Sequence, residues 1–292
     1  MFGPGGRFRR DPLHLRRPRF EPPTINRLIP NVLTVLALCA GFTALRFAMM
    51  ERWDLAIFAV MVAAVLDVLD GRLARLLNGT SKFGAELDSL SDFLCFGAVP
   101  AMMVYLATLH HLGGLGWAFC LVFAVCCALR LARFNTMIGD PEPPPWAGAF
   151  FVGVPAPAGA FLALLPMMGT IQFGGGFFDR PSLNAVVMLA VAALMVSRIP
   201  TFSTKKIKLT PSMALPILLL AVISAAALAS EPFLTFLIAG ALYIASIPVS
   251  VWSQARARRA LAEEPLPAPA LPAGQGEMPA ANRTDSTSAN QP

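Results

Sequence analysis

Four aspartates stand inside two neighbouring apolar stretches of this chain, where carboxylates are costly. Asp67 and Asp70 follow the apolar run that begins at residue 54, and Asp88 and Asp92 come after a short connection. On insertion scales, an aspartate at the centre of a membrane span costs about 2.5–3.5 kcal/mol. Four such residues so close together therefore favour a functional site in which a bound cation neutralises the carboxylates.

Helical spacing places these carboxylates on two stripes. At roughly 100° per residue, positions i, i+3, i+4, i+7 and i+8 share one face of a helix. In the first stretch, those positions are Asp67, Asp70, Gly71, Ala74 and Arg75. In the second stretch, the residues spaced i, i+4 and i+8 are Gly84, Asp88 and Asp92. Because the connection 78–83 is short, we expect antiparallel neighbouring helices whose four carboxylates converge.

The residue types on these stripes suit a metal-bound, phosphorylated ligand. Ligand sets made only of oxygen favour Mg²⁺ or Mn²⁺, and four carboxylates are more than one divalent ion usually takes, so two ions are expected. Gly71 and Ala74 leave room for a ligand against the helix, and Arg75 can pair with phosphate. The alternative is that the aspartates pair with Arg72, Arg75 or Lys82 and only hold the helices together.

The composition identifies the class of protein that must position these residues. Of 292 residues, 56% are hydrophobic and 14% are charged, and the mean hydropathy is +0.63. A soluble globular domain has roughly 25% charged residues. A soluble enzyme, a disordered chain and a disulfide scaffold are therefore excluded for the bulk of the chain. An all-α, polytopic transmembrane helix bundle is predicted.

Apolar segments divide the chain into a membrane domain, residues 31–252, and two extensions. About eight spans are predicted, at residues 31–49, 54–77, 87–109, 115–134, 150–171, 183–197, 211–229 and 233–252. Residues 1–30 form a basic arm rich in proline and arginine. Residues 253–292 form an alanine- and proline-rich tail that is expected to be disordered.

Lysines and arginines predict the orientation of the spans. They cluster in the N-terminal arm, between the second and third spans, and after the sixth and eighth spans. With an even number of spans, this asymmetry places both termini in the cytoplasm. The helix from Asp54 to Asp67 covers about 20 Å, so the acidic residues lie near the cytoplasmic face. The net charge of +6 then faces the anionic membrane surface, and a nucleic-acid partner is excluded because no base-reading patch exists.

The acidic stripes also carry a family resemblance. The signature of the CDP-alcohol phosphatidyltransferases resembles the pattern Asp67-x2-Asp70-Gly71-x2-Ala74-Arg75-x8-Gly84-x3-Asp88-x3-Asp92. This resemblance implies a helical membrane enzyme, commonly a homodimer, that transfers a phosphatidyl group from a CDP-linked lipid to an alcohol and releases CMP. It also implies that Asp67, Asp70 and Asp88 are metal ligands. Asp92 would bind the second metal and act as the general base.

The same resemblance implies which residues contact the CDP moiety of the lipid. Those in the signature or in the connection between its helices are Gly71, Ala74, Arg75, Ser81 and Gly84. Asn31 and Thr34, at the start of the first span, resemble the nucleotide contacts that the family has on that helix. An ordinary helix N-terminus after Pro30 is the alternative explanation of these two residues.

Three further stretches resemble the phosphatidylserine synthase branch of this family. They are residues 129–135, 153–158 and 197–203. The branch implies L-serine as the acceptor, whose carboxylate a guanidinium can hold at two points. Arg133 is expected to hold that carboxylate and Asn135 to orient the serine, with Arg130 replacing Arg133 if the helix faces the other way. Positive-inside anchoring is the alternative role of both arginines.

The resulting hypothesis is phosphatidyl transfer from CDP-diacylglycerol to L-serine at the cytoplasmic face of the cell (inner) membrane. The protein would contact membrane lipids and form a homodimer. The same chemistry with glycerol 3-phosphate, inositol, inositol phosphate or choline as acceptor is one alternative. A divalent-cation transporter is another, although none of the aspartates continues a path toward the outer side. A structural membrane subunit is the third, and it leaves the carboxylates unexplained.

Overall fold

The protein is a bundle of long helices. The computed structural model describes residues 25–136, 150–197, 200–202 and 213–262. Its α-helices are α1 (Ile25–Met49), α2 (Trp53–Leu76), α3 (Lys82–Asp92), α4 (Val99–Ala107), α5 (Gly114–Thr136), α6 (Ala156–Phe173), α7 (Pro181–Val196), α8 (Ala214–Ser230) and α9 (Pro232–Ala262). A π-helical segment, Phe93–Ala98, joins α3 to α4 into one continuous helix. In the described residues, eight helical rods thus correspond to the eight predicted segments, with different bounds, which confirms the predicted helical bundle.

Five of the rods are long and apolar enough to cross a membrane. They are Leu28–Met49, Lys82–Ala107, Gly114–Thr136, Ala156–Phe173 and Pro232–Ser250. The helices Pro181–Val196 and Leu215–Ser230 are apolar but shorter. α2 has 24 residues and carries the aspartates and arginines of the acidic stripe, which lower its hydropathy. These apolar helices are those of an integral membrane protein.

The predicted fifth span, 150–171, is wrong at its start. Its first residues form a strand, β1 (Phe150–Val152), which pairs antiparallel with β2 (Pro200–Phe202). α6 begins only after Pro155, whose ψ of 146° is not helical. Gly153 has a φ of +80°, and a Cβ there would lie 2.8 Å from the carbonyl oxygen of Met195. Glycine is therefore required where this loop meets the end of α7.

The first and last helices extend beyond the predicted membrane domain. α1 begins at Ile25, inside the predicted N-terminal arm. α9 continues to Ala262, so the predicted disordered tail begins as helix. Residues 253–262 are rich in alanine and arginine, which are among the best helix formers. The remainder of the arm, residues 1–24, and of the tail, residues 263–292, lies outside the described residues.

Small side chains allow the first two helices to pack closely along each other. α1 and α2 are in extensive contact, and both bury alanines in the core, such as Ala44 and Ala56. Small residues at an interface between membrane helices let the backbones approach. This packing sets Thr34 of α1 opposite Asp70 of α2, where their side chains are hydrogen bonded.

Candidate active site

Three of the four predicted aspartates form one compact cluster. Carboxylate oxygens of Asp67, Asp70 and Asp88 all lie within 4.8 Å of one another. α2 supplies the first two and α3 supplies the third. The chain reverses between these helices at Asn78, which has a φ of 48°. The two acidic stripes therefore converge, as their spacing predicts.

Asp92 is joined to this cluster through one of its members. It lies one turn beyond Asp88 on α3, and its carboxyl group is in hydrogen-bond contact with that of Asp67. Its Oδ1 atom is buried and has no hydrogen-bond partner among the described residues. Two carboxyl groups in direct contact need a shared proton or a cation between them, because two bare negative charges repel.

Asp70 is the buried member of the cluster, with 3% of its surface exposed. Its Oδ2 atom accepts a hydrogen bond of 2.6 Å from Thr34 Oγ1. Its Oδ1 atom is buried and finds no partner in the part of the chain that the structure describes. A buried carboxylate oxygen without a partner is costly. The oxygen-only donor set and this unsatisfied atom together fit a hard divalent cation.

Purely structural ion pairing does not account for the cluster. Within the described ranges, no ion pair joins any of the four aspartates to Arg72, Arg75 or Lys82; the pair found there joins Arg52 and Asp54 at 3.9 Å. That pair is exposed and lies at the opposite end of α2. The alternative in which the aspartates only hold the helices together therefore has no support in the geometry.

A pocket of about 300 Å³ opens beside the cluster, between α1, α2 and the start of α3. Its walls include Asp70 and Asp88, so that two carboxylates of the cluster face it. All seven residues predicted to contact the CDP moiety line this pocket: Asn31, Thr34, Gly71, Ala74, Arg75, Ser81 and Gly84. The structure therefore brings together residues from three helices and one connection that the sequence resemblance assigns to one ligand.

The local structure explains several of these residue types. Ser81 is the N-cap of α3, and its Oγ atom accepts a hydrogen bond of 3.0 Å from the Gly84 amide. A Cβ at Gly84 would lie 2.8 Å from Asn31 Oδ1, so a side chain there would displace the pocket wall. At Gly71 a Cβ would meet only the Arg75 guanidinium, at 3.8 Å and beyond. Gly71 thus keeps the pocket open, whereas Gly84 allows close packing of its walls.

The three residues predicted to bind the acceptor have different partners in the structure. The guanidinium of Arg130 on α5 interacts electrostatically with Asp92, and its Nε atom is buried without a hydrogen-bond partner among the described residues. Arg133 instead donates from Nη1 to a backbone carbonyl at the end of α7, at 3.5 Å. Asn135 donates from Nδ2 to Ser89 Oγ of α3, at 2.9 Å. Of the two arginines, Arg130 is the one with an electrostatic interaction with an aspartate of the acidic site.

Sequence reasoning missed Tyr243 of α9. This residue is partly buried against the core and interacts electrostatically with Arg130. The available signal is that the chain has only two tyrosines and that this one lies in an apolar helix. A buried phenol hydroxyl usually has a polar partner. Its interaction with Arg130, however, depends on how α9 packs against the other helices, which this signal does not show.

A comparison with protein families identifies the family of most of the chain. The model of the CDP-alcohol phosphatidyltransferase family matches residues 27–252. The chain belongs to this family. The match extends from α1 into α9 and includes all four aspartates, the pocket residues and the three predicted acceptor residues. The CDP-alcohol phosphatidyltransferases are generally metal-dependent, and the acidic cluster is the part of this chain whose chemistry fits a metal.

Curated members of the CDP-alcohol phosphatidyltransferase family are similar to most of the chain. The CDP-diacylglycerol–serine O-phosphatidyltransferase of Mycobacterium leprae (strain TN) is 36% identical over 238 residues, or 82% of this chain and 79% of the relative. The protein of the same name from Mycobacterium tuberculosis (strain ATCC 25618 / H37Rv) is 38% identical over 239 residues, or 82% of each chain. That of Helicobacter pylori (strain ATCC 700392 / 26695) is 36% identical over 183 residues, or 62% of this chain and 74% of the relative.

Proposed function

We propose that this protein transfers the phosphatidyl group of CDP-diacylglycerol to L-serine, giving phosphatidylserine and CMP. The observation that carries the proposal is the similarity, over 82% of the chain, to relatives named CDP-diacylglycerol–serine O-phosphatidyltransferases. The site supports it, because a pocket of ligand size adjoins the acidic cluster and a guanidinium interacts electrostatically with the fourth aspartate.

Two divalent ions, Mg²⁺ or Mn²⁺, would be held by the four aspartates. Asp67, Asp70 and Asp88 would surround the first ion, since their oxygens already face one point. Asp92, in contact with Asp67, would bind the second ion. When bound, the ions neutralise the diphosphate of the lipid and favour the departure of CMP.

The pocket beside the cluster would hold the CDP moiety. Arg75 would pair with a phosphate group, as a guanidinium does in charge-assisted hydrogen bonds. Gly71 and Ala74 would let the nucleotide lie against α2, and Asn31 and Ser81 would contact it from the opposite wall. The pocket would orient the diphosphate so that the lipid-side phosphorus faces Asp92.

Asp92 would act as the general base. Its buried Oδ1 atom has no partner among the described residues and can accept the proton of the serine hydroxyl. As that proton leaves, the hydroxyl oxygen forms a bond to the lipid-side phosphorus. The bond from this phosphorus to the CMP oxygen breaks, and the electron pair leaves with CMP. The proton then passes from Asp92 to solvent.

Arg130 would hold the serine carboxylate. It is the arginine that interacts electrostatically with Asp92, so one serine molecule would place its carboxylate at the guanidinium and its hydroxyl at the base. A guanidinium matches a carboxylate at two points. Arg133 would connect the ends of α5 and α7, and Asn135 would connect α5 to α3, through the hydrogen bonds that they make.

The setting of the reaction is part of the same proposal. The lysine and arginine asymmetry supports eight spans with both termini in the cytoplasm, and an active site near the cytoplasmic face of the cell membrane. Residues 31–252 would form the transferase domain, flanked by the basic arm and the tail. We propose a homodimer, as is common in the family.

An acceptor panel tests the proposed function. Purified full-length protein in lipid nanodiscs receives labelled CDP-diacylglycerol and one acceptor at a time. We expect phosphatidylserine and an equal amount of CMP with L-serine, and little lipid product with glycerol 3-phosphate, inositol, inositol phosphate or choline. A preference for one of these acceptors would overturn the serine assignment. Failure to release CMP with any acceptor would overturn the assignment as an enzyme and favour the alternative of a cation transporter.

A further inference from the structure

The hydroxyl of Thr34 lies between two possible acceptors. Thr34 Oγ1 is 2.6 Å from Asp70 Oδ2 and 3.1 Å from the carbonyl oxygen of Pro30, one turn back on α1. A threonine hydroxyl has one proton to donate. The shorter distance is in the range of a charge-assisted bond from a hydroxyl to a carboxylate. The proton of Thr34 is therefore directed to Asp70.

The hydrogen bond from Thr34 determines the orientation of the Asp70 carboxyl group within the cluster. With Oδ2 held by Thr34, the carboxyl group cannot rotate freely, and its Oδ1 atom stays buried without a partner among the described residues. Outer hydrogen bonds of this kind orient metal-binding side chains. Asp70 is the most buried of the three clustered aspartates. Water therefore cannot take the place of the Thr34 hydrogen bond in holding its carboxylate.

Thr34 is itself held in place by the helix that carries Asp92. Ser91 Oγ donates to the carbonyl oxygen of Thr34 at 3.4 Å, and Cys95 Sγ donates to that of Ala37 at 3.3 Å. Only 4% of the surface of Thr34 is exposed. α1 is thus hydrogen bonded at two successive turns to the continuous helix that begins with α3. Thr34 connects this contact to Asp70, the proposed metal ligand on α2.

We propose that Thr34 is a positioning residue that orients Asp70 for the divalent metal. This inference rests on the metal site of the proposed function, and it assigns to Thr34 a task that differs from direct contact with the nucleotide. The hydroxyl matters because it donates a proton to Oδ2. Its removal should therefore weaken metal binding even when no nucleotide is present.

Metal binding by three variants tests the inference. Thr34→Val keeps the shape and removes the donor, and Thr34→Ser keeps the donor. Thr43→Val is the matched control, because Thr43 on the same helix is exposed and its Oγ1 atom donates to the carbonyl oxygen of Cys39. Binding of Mn²⁺ to the full-length protein in nanodiscs is measured by electron paramagnetic resonance without lipid substrate. We expect Thr34→Val to raise the Kd roughly 10- to 100-fold, and both other variants to stay within about threefold of wild type.

The remaining outcomes distinguish a failure of the positioning role of Thr34 from a failure of the proposed metal site. An unchanged Kd in Thr34→Val, with wild type binding Mn²⁺, would overturn the positioning role and leave the proposed metal site intact. No Mn²⁺ binding by wild type would overturn both. Kinetics add a second measurement. Thr34→Val should raise the half-saturating Mn²⁺ concentration and leave the KM for CDP-diacylglycerol unchanged at saturating metal. The reverse pattern would make Thr34 a nucleotide contact and overturn the inference.

Discussion

Arg130 of α5 and Asp92 of α3 interact electrostatically, so that a guanidinium and a carboxylate from two different helices influence each other. Each has a buried polar atom, Arg130 Nε and Asp92 Oδ1, without a hydrogen-bond partner in the described residues. In the proposed reaction the acceptor carries complementary groups, because L-serine has both a carboxylate and a hydroxyl. Replacement of Arg130 and replacement of Asp92 should therefore have different effects on the reaction.

Replacing Arg130 should impair the use of serine. An ammonium cannot reproduce a planar two-point contact, so Arg130→Lys should raise the KM for serine about tenfold or more, equivalent to about 1.4 kcal/mol. The KM for CDP-diacylglycerol should change much less. Arg133→Lys is the matched control, since Arg133 contacts a backbone carbonyl at the end of α7. A larger effect of Arg133→Lys than of Arg130→Lys on the serine KM would contradict the assignment.

Replacing Asp92 should stop turnover while the lipid substrate still binds. Asp92→Asn keeps the size of the side chain but cannot take a proton, and loss of a general base typically costs roughly 10²- to 10⁴-fold in rate. We expect a loss of kcat in that range, with binding of CDP-diacylglycerol largely retained in an equilibrium assay. Asp54→Asn serves as the control, because Asp54 is exposed and pairs with Arg52. Near-normal turnover of Asp92→Asn would assign proton removal to another group.

Removing the metal should abolish activity reversibly. Treatment with a chelator should eliminate CMP release, and addition of Mg²⁺ or Mn²⁺ should restore it, because the diphosphate would otherwise face the carboxylates without a cation. Asp67→Ala should remain inactive at any metal concentration, since Asp67 contacts both the cluster and Asp92. Asp179→Ala, in the loop between α6 and α7, should behave as wild type. Full turnover in chelator would eliminate the metal site.

Adding a methyl group at Gly71 should block the CDP pocket without harming the fold. A Cβ there would approach only the Arg75 guanidinium, at 3.8–3.9 Å, and alanine is the better helix former. Gly71→Ala should raise the KM for CDP-diacylglycerol about tenfold or more, with an unchanged or higher Tm. Gly114→Ala, where a Cβ would meet nothing within 4 Å, is the control. An unchanged KM in Gly71→Ala would place the nucleotide elsewhere.

The acidic part of the site could be predicted from the sequence because its geometry is local. The spacing of Asp67 and Asp70 along one helix, and of Asp88 and Asp92 along the next, determines which carboxylates share a face. A short connection makes the two helices antiparallel neighbours. The apolar composition determines the helical bundle for a similar reason, since each membrane helix must satisfy its own backbone hydrogen bonds.

The acceptor side of the site could not be decided in this way. Arg130 and Arg133 are three residues apart, so they differ by only roughly 60° around the helix axis. Periodicity therefore leaves open which of them faces Asp92. Only the packing of α5 against the π-helical segment Phe93–Ala98 and against α7 decides that Arg130 interacts with Asp92 and that Arg133 contacts the end of α7.

By itself, the sequence determined the helical bundle, the four aspartates and the pocket residues near them. The tertiary structure alone decided the contacts between distant segments. Thr34 is hydrogen bonded to Asp70 across the packing of α1 on α2, and Tyr243 of the last helix interacts electrostatically with Arg130. The pairing of β1 with β2 is another contact between distant segments. Such contacts depend on how whole helix surfaces fit together, and the spacing of residues along one helix carries no information about that fit.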